Sequence, residues 1–354
     1  MTASDYIVRQ ADSGDQEVWD HFVCNHPEAS PYHLFAWKKA VEEAYGHKGL
    51  YLVAEQHNTI SGVLPIIQIR LALLLRELTA LPFCDVGNVL AENKQVVEVL
   101  LEKALQLSAK TTTRLHLRGE INIPQSLTEK IFYQRNDKVR MLCKLPPSSE
   151  ELLTGFKSKL RSQIKKAEKN GLHFFWGGQE HLDEFYSVFT ENMRDLGSPT
   201  HSRAWFAAIL RNYGKNAGLG IVKYEDKVVG GGLILAVADR VSIPWASTLR
   251  SYNRLAPNML LYWNVLKYSA DAGYTTFDFG RSSLEEGTYR FKKQWGAQPQ
   301  PLLWYSNTAP QTHATDSASP TTKGKRELLA ETWAKLPLPL ANFLGPNIRK
   351  YISL

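Results

Sequence analysis

The stretch TTFDFGRSSLEEGTYRFKKQWGA, residues 275–297, joins a strand-like run to an aromatic and basic segment. In its first part Phe277 and Phe279 alternate with polar or small residues, which is the two-residue period of a β-strand. Arg281 follows directly, and Lys292 stands among aromatic side chains further on. Cationic groups just beyond a buried strand predict a pocket that handles an anionic group.

The elements on the N-terminal side of this strand define a repeating order. A helix is predicted over 256–274, because Pro257 can open it and Gly273 can close it. Antiparallel strands are predicted over 219–248 by their apolar runs and intervening turn residues. Before them, a strand and two helices are predicted at HFFWGG (173–178), HLDEFYSVFTENMRDLG (181–197) and SRAWFAAILRNYG (202–214).

The first half of the chain has the same order of elements without visible sequence repetition. It reads as a strand, two helices, a hairpin turning near Asn58, a helix and a strand, at YIVRQAD (6–12), 15–27, 30–48, 49–70, 94–110 and 112–119. This is the order of the GCN5-related N-acetyltransferase (GNAT) fold. We therefore predict an α/β (α+β) chain with two tandem GNAT-like domains, each a mixed sheet flanked by helices.

Two segments rich in small, polar or proline residues predict the domain limits. KLPPSSEEL (144–152) has the prolines and serines of a hinge, so domain one should cover residues 1–147 and domain two 148–306. Residues 307–325 have few large apolar side chains and predict a disordered linker. Residues 326–354 regain apolar periodicity. A helix docked on the body is the favoured interpretation, and a membrane-surface or partner helix is the alternative.

Bulk composition is that of a soluble globular protein in the cytoplasm. The 354 residues are 44% hydrophobic and 22% charged, with a formal net charge of +7. Three distant cysteines predict reduced thiols and no metal site. The N-terminus lacks the apolar run of a signal peptide. The most apolar stretch, 60–83, is interrupted by Pro65, Arg70 and Arg76 well short of the roughly 18–20 residues of a membrane span, so we interpret it as two strands.

A strongly basic helix is predicted at KSKLRSQIKKAEKN, residues 157–170. Arg161, Lys165 and Lys169 recur every four residues and therefore share one face. A solvated charged face is one explanation. The other is a surface that follows phosphates, as in tRNA or a nucleotide-linked sugar.

The positions of the glycines indicate which acyl donor a protein of the GNAT fold could bind. VVGGGLIL (228–235) predicts a bulge or a close backbone approach, and it lacks the spacing of a dinucleotide motif. The GNAT fold usually holds the coenzyme A pyrophosphate on a basic, glycine-rich turn before its main helix. Here the junction STLRSYNRLAPNML (247–260) contains no glycine, which counts against an acyl-CoA donor. Motifs for serine hydrolases, zinc proteases and P-loop enzymes are absent as well.

Three segments together resemble the FemAB/FemX peptidyltransferase family. They are LPFCDVGNVLAE (81–92), FKSKLRSQIKKAEKNGL (156–172) and FDFGRSSLEEGTYRFKKQWGA (277–297), and the tail WAKLPLPLANFLGP (333–346) is similar to FemAB-like proteins associated with exosortase and exopolysaccharide loci. The resemblance implies transfer of an aminoacyl group to an amine. In characterised relatives the donor is aminoacyl-tRNA and the acceptor is a peptidoglycan-precursor peptide.

The resemblance also implies site residues. The family's phenylalanine–lysine pair matches Phe291 and Lys292, and Lys292 would stabilise the oxyanion of the tetrahedral intermediate. Independently of the resemblance, the place of Asp278 at a strand end predicts either a buried, paired carboxylate or a group that steers an incoming amine, and it is the candidate general base. Basic, aromatic and neutral polar groups of both domains would bind the substrate: Lys38, Lys39, Arg161, Lys165, Tyr252, Asn258, Arg281, Ser282 and Arg290.

Three hypotheses for the function follow. The first is an N-acyl (aminoacyl) transferase acting on a peptidoglycan, exopolysaccharide or other envelope precursor, with no bound cofactor or metal. Members of the family that build staphylococcal bridges carry a long helical-hairpin insertion associated with tRNA, and the segment between Leu172 and Gly214 is too short to hold one. The resemblance therefore fixes neither donor nor acceptor, and a polysaccharide amine or lipid-linked sugar is as plausible an acceptor as a muropeptide. The second is an acyltransferase that uses acyl-CoA or an acyl carrier protein. The third is a non-catalytic module that binds polyanions through the helix at 157–169.

Overall fold

A computed structural model describes residues 6–70, 76–111, 113–134, 138–309 and 320–353 of the protein. Its contacts divide the chain into two compact domains. Domain one contains residues 1–138, 301–315 and 351–354, and domain two contains residues 139–300 and 316–350. The division therefore falls earlier than the predicted hinge at 144–152, and residues 301–306 belong to domain one instead of domain two.

The described residues of domain one form two sheets and three α-helices. In chain order its elements are β1 (Ile7–Gln10), α1 (Gln16–Asn25), α2 (Phe35–Tyr45), β2 (Lys48–Gly49), β3 (Leu52–Gln56), β4 (Thr59–Leu64), β5 (Ile66–Arg70), β6 (Arg76–Ala80), β7 (Leu90–Ala91), α3 (Lys94–Thr111), β8 (Arg114–Arg118) and β9 (Phe132–Gln134). The order in one sheet is β1-β3-β4-β7. The hairpin β3–β4 turns at His57 and Asn58, both with positive φ, as the sequence predicts.

The second sheet of domain one receives a strand from far along the chain. Its order is β2-β5-β6-β8-β17-β9, where β17 is Trp304–Ser306. β5 and β6 pair antiparallel. With β4 they make three strands where the apolar stretch 60–83 predicts two, because the strand ends before Pro65 and begins again at Ile66. The predicted apolar turn falls on 71–75, which lie outside the described residues. Leu100 and Leu101 of α3 are fully buried in this domain's core.

Domain two contains a seven-stranded sheet with helices on both faces. Its elements are β10 (Lys138–Lys144), α4 (Ser149–Gly155), α5 (Ser158–Lys169), β11 (Leu172–Gly177), α6 (Leu182–Asp195), α7 (Arg203–Tyr213), β12 (Ala217–Tyr224), β13 (Lys227–Val237), β14 (Arg240–Thr248), α8 (Pro257–Asp271), β15 (Thr276–Ser283), α9 (Gly287–Gln294) and β16 (Gln298–Pro301). The strand order is β11-β12-β13-β14-β15-β10-β16. β10 lies in this sheet although it precedes the predicted hinge.

The glycines of β13 allow close packing on both faces of the sheet. A Cβ on Gly231 would lie 3.0 Å from Phe185 of α6, and a Cβ on Gly232 would lie 3.0 Å from Ile243 and 3.5 Å from Leu261 of α8. The register also shifts opposite Val222, which is a bulge. Both features that the glycine run predicts are therefore present.

The aromatic and basic segment around Lys292 is a helix, α9. In and just after α9, the buried side chains are Tyr289, Lys292 and Trp295. They recur every three residues, whereas a strand would bury alternate residues. This spacing follows the helical period because α9 packs one side against the end of β15.

The C-terminal tail forms two helices, α10 (Pro320–Ala334) and α11 (Leu338–Arg349). α10 begins inside the segment predicted as a linker, so residues 320–325 are helical. The linker residues 310–319 lie outside the described residues. α11 packs against α6, as the docked-helix interpretation predicts.

Candidate active site

The site in domain two begins where two parallel strands stop pairing. β14 and β15 are paired over Arg240–Ser242 and Thr276–Asp278. Beyond these three pairs, β14 continues to Thr248 and β15 to Ser283 with no further pairing between them. The result is a fork in the sheet, and an unpaired strand edge of this kind can accept an extended substrate.

Asp278 occupies the last paired position of β15 and is 4% exposed. Its Oδ2 accepts a hydrogen bond from Arg140 Nε at 2.8 Å, and its Oδ1 accepts one from the Gly280 N–H at 2.7 Å. Ser242 Oγ lies 3.5 Å from Oδ2. These are the contacts of a buried, paired carboxylate, which is the structural one of the two interpretations. They give the general-base role no support.

Gly280 bends β15 just after Asp278. Its φ is +73°, a left-handed conformation that a side chain would strain. The bend turns the carbonyls of Gly280 and Arg281 toward α9, where Lys292 Nζ donates to them at 3.3 and 2.7 Å. Glycine at 280 is therefore part of how the strand end is joined to the helix.

Lys292 carries a buried charge at this strand end, since it is 8% exposed. Burying an ammonium is costly unless its N–H groups are satisfied, and the two backbone carbonyls supply acceptors. Lys292 thus holds the bent end of β15, a role that its residue type alone does not reveal. An ammonium fixed in this way is also available as preorganised positive charge beside the fork.

Ser282 places a buried hydroxyl on the same short stretch of β15. It is 3% exposed, and its Oγ has no hydrogen-bond partner among the described residues. A buried hydroxyl without a partner is costly, by about 1–3 kcal/mol. Its cost must therefore be offset by the packing of this strand end, and no described contact assigns Ser282 to a bound molecule.

Phe291 fixes the orientation of α9. Its ring lies 5.0 Å from that of Tyr262 and 6.2 Å from that of Trp295, both at steep angles. Burial raises the pKa of Tyr262 well above its ordinary value. Within the described residues, Phe291 contributes packing to the site.

The other predicted residues of domain two lie on several different elements. Arg290 is exposed and lies two positions away on α9, so it points to another side of the helix. Tyr252 lies in the turn before α8, where the Lys227 ammonium is 5.3 Å from its ring centroid. Asn258 is half-buried in the first turn of α8. Arg281 is half-buried and adjoins the site through its carbonyl.

Lys38 and Lys39 lie in α2 of domain one. Lys38 Nζ pairs with Glu42 at 3.0 Å and lies 5.0 Å from the Phe35 ring centroid. Lys39 donates to the side-chain carbonyl of Gln16. Both ammonium groups therefore already have partners within their own domain.

Helix α5 has the amphipathic form that its sequence predicts. Leu160, Ile164 and Ala167 are buried. Arg161 is half-buried and donates to the Thr154 carbonyl at 3.2 Å. Lys165 is exposed and forms no ion pair with another described residue. The remaining exposed lysines of this surface are Lys157, Lys159, Lys166 and Lys169. These basic residues form one surface, the α5 face.

Sequence reasoning missed Arg140, the partner of Asp278. The two residues are 138 positions apart, and the alternation in KVRMLCK (138–144) predicts only that Arg140 lies in a strand.

A separate groove of about 740 Å³ lies beside α4 and is lined in part by Cys143 and Trp295. Burial raises the pKa of Cys143 to about 11, so this thiol is not a nucleophile at neutral pH. Among the described residues no cluster could hold a metal ion.

Comparison with known proteins agrees with this architecture. Residues 154–293, which include Asp278 and Lys292, match the acetyltransferase (GNAT) domain family. The structure of FemX is similar with a TM-score of 0.69 and 15% identity, covering 85% of this chain and 97% of FemX. No curated protein matches the sequence.

Two further solved structures are similar at lower TM-scores. The C-terminal domain of a putative lysylphosphatidylglycerol synthetase from Agrobacterium fabrum has a TM-score of 0.56 and 12% identity, covering 84% of this chain and 93% of that domain. A tandem GNAT protein from the clavulanic acid biosynthesis pathway has a TM-score of 0.54 and 10% identity, covering 86% and 99%.

The fold is that of a protein with two tandem GNAT-like domains, and the match to the GNAT domain family falls within domain two. The predicted resemblance to the FemAB/FemX family is confirmed at the level of the fold by the FemX structure. The same matches support the predicted acyltransferase class. In the described part of the chain, no helix has both the length and the apolar character needed to cross a bilayer.

Proposed function

We propose that the protein is an N-acyltransferase that transfers an aminoacyl group to an amine of a cell-envelope or exopolysaccharide precursor in the cytoplasm. The observation that carries this proposal is the buried Lys292 ammonium at the bent end of β15, beside the fork of a GNAT domain. The fold of FemX supports it. So does the C-terminal domain of the putative synthetase from Agrobacterium fabrum, whose name combines a lysyl group with phosphatidylglycerol.

The chemistry is an aminolysis of an ester. The acceptor nitrogen attacks the ester carbonyl, the C–N bond forms, and negative charge builds on the carbonyl oxygen. The intermediate then collapses with cleavage of the C–O bond, and the proton lost by the amine ends on the leaving hydroxyl. Lys292 would stabilise the oxyanion, and a preorganised donor of this kind typically contributes ~10²–10³ in rate.

Aminoacyl-tRNA is the donor we propose. Its ester is already activated, and the exposed lysines of the α5 face offer positive charge for phosphates. The turn before α8 contains no glycine, and Ala256 adopts the left-handed conformation at the start of the helix. Such a turn is unlike the glycine-rich cradle for a pyrophosphate.

The GNAT match favours acyl-CoA as the second candidate donor. Calorimetry separates the two donors directly. We expect no saturable binding of acetyl-CoA, whereas saturation with one site per chain would make acyl-CoA the preferred donor.

A single-turnover assay of Lys292→Met tests the proposed role. Bulk tRNA charged with labelled amino acids serves as donor, and nucleotide-linked and lipid-linked envelope precursors serve as acceptors. We expect at least a tenfold loss of rate, about 1.4 kcal/mol. Lys293→Met is the matched control, because Lys293 is exposed and its ammonium lies over the Tyr289 ring at 5.4 Å. Equal rates for the two variants would remove Lys292 from the mechanism.

A further inference from the structure

The C-terminal helices expose large apolar side chains. Fourteen large apolar residues are exposed among those described, and five of them lie in α10 and α11: Leu328, Leu329, Leu340, Phe343 and Ile348. Leu329 is 71% exposed and Phe343 is 69% exposed. A concentration of this kind in two short helices marks an interaction surface.

α11 packs on domain two in the reverse of the usual amphipathic arrangement. It buries its small residues: Ala341 is 2% exposed, and a Cβ on Gly345 would lie 3.0 Å from Thr200. Leu340 and Phe343 lie on the opposite side and face solvent. A helix that is only a structural element buries its large apolar side chains instead. Leu340 and Phe343 therefore serve something other than attachment to the domain.

The same segment is basic. Residues 320–350 contain six basic and two acidic residues, a net charge of +4 out of +7 for the whole chain: Lys323, Lys325, Arg326, Lys335, Arg349 and Lys350 against Glu327 and Glu331. An apolar surface with neighbouring cations is complementary to an anionic lipid bilayer, which attracts basic residues near its surface by about 1 kcal/mol each.

We propose that α10 and α11 form a docking surface for an anionic bilayer. Leu340, Phe343 and Ile348 would enter the boundary between headgroups and acyl chains, and Lys335, Arg349 and Lys350 would contact lipid phosphates. α11 has 12 residues, so it is roughly 18 Å long and lies in the interface without crossing a hydrocarbon core of about 30 Å. This inference is independent of the proposed reaction.

A second copy of the chain fits this surface less well than an anionic bilayer does. Two copies meeting through α10 and α11 would bring two segments of net charge +4 together, and like charges across an interface oppose association. An anionic lipid surface has no such penalty.

Co-sedimentation of the full chain with vesicles tests the proposal. We expect binding to vesicles of phosphatidylcholine with phosphatidylglycerol, and much weaker binding to phosphatidylcholine alone. The double variant Leu340→Ser with Phe343→Ser should bind at least tenfold more weakly. The matched control is Ile7→Ser with Val18→Ser, since both residues are exposed apolar side chains in domain one.

A charge variant and a folding check complete the experiment. Lys335→Glu with Lys350→Glu should abolish the preference for anionic vesicles, and thermal unfolding should show that every variant is folded. No sedimentation of the folded wild-type chain with anionic vesicles would overturn the proposal. So would equal binding by the Leu340/Phe343 variant. Light scattering gives the remaining outcome: a dimer that this variant dissociates, without vesicle binding, would assign the surface to a second copy.

Discussion

At the scale of single residues, domain two buries an anion and a cation near the same strand end and compensates them differently. Asp278 has a side-chain partner, Arg140, and a backbone N–H. Lys292 is held by two backbone carbonyls. Removing one partner of a buried ion pair leaves an uncompensated charge, whereas a lysine held by carbonyls can be replaced with less electrostatic cost.

The first prediction concerns Asp278→Asn. We expect this change to lower the free energy of unfolding by about 3 kcal/mol, because the partly buried Arg140 guanidinium loses its counter-ion. Urea unfolding measures the effect. Asp183→Asn, which breaks an exposed pair with Arg203, is the control and should change stability little. A variant of unchanged stability but with lost transfer activity would instead restore the general-base interpretation.

The same scale shows what residue types alone can predict. The cation at position 292 and the buried carboxylate at 278 were visible as chemical groups in the sequence. Their partners were not, because a hydrogen bond to a backbone carbonyl has no sequence signature and Arg140 lies 138 residues from Asp278. Ser282 became distinctive only when its burial and the lack of a partner for its Oγ in the described chain were known.

At the scale of elements, α5 is the surface most open to a competing explanation. Its buried stripe attaches it to the core, and its exposed lysines have no ion-pair partners among the described residues. A solvated face and a phosphate-binding face have the same structure in the absence of a ligand. Binding measurements separate them, because phosphate contacts release counter-ions and make affinity depend on salt.

We predict that Arg161→Glu with Lys165→Glu weakens binding of bulk tRNA and lowers the salt dependence of log K by roughly 0.7–0.9 for each lost phosphate contact. Filter binding over a range of salt concentrations measures both quantities. Lys94→Glu with Lys110→Glu in α3 of domain one is the control for a change in net charge.

The outcome also decides between two functional classes. If charge reversal on the α5 face abolished function while Lys292→Met retained it, a non-catalytic polyanion-binding module would be the correct class. Unchanged tRNA affinity would leave the α5 face as a solvated surface.

At the scale of the whole molecule, the packing of domain two makes its stability depend on pH. His201 is 2% exposed and lies against Trp205, Phe206 and Trp245. Burial and, second, the charge of Arg349 lower the pKa of His201 well below its ordinary value of 6.5. Burial likewise lowers the pKa of His116 in domain one.

The direction of this pH dependence follows from proton uptake by the unfolded chain. Below pH 6.5 the unfolded chain binds a proton at position 201 that the folded chain does not bind, so the stabilisation is complete above pH 6.5 and is lost as pH falls. We expect a decline of at most about 1.4 kcal/mol per pH unit from this group between pH 6.5 and 5. His201→Phe keeps an aromatic ring against Trp205 and should reduce the slope in urea unfolding. The same slope in both proteins would contradict the prediction.

The sequence by itself determined the order of elements and, through that order, the fold. Periodicity, proline at helix starts and glycine at turns are local properties, so they predicted α3, α5, α8 and the β3–β4 hairpin without knowledge of the partners. Three short motifs then identified the resemblance to the FemAB/FemX family, and the shared fold with FemX agrees with it.

Only the tertiary structure decided which strands join which sheet and which charges meet. β10 joins the sheet of domain two, and β17 returns to that of domain one, because strand pairing depends on neighbours distant in the chain. For the same reason the structure decided that Asp278 pairs with Arg140, that Lys292 lies on a helix against a bent strand, and that α11 turns Leu340 and Phe343 outward. Burial and partner choice are properties of packed surfaces, and a linear pattern of residue types does not specify them.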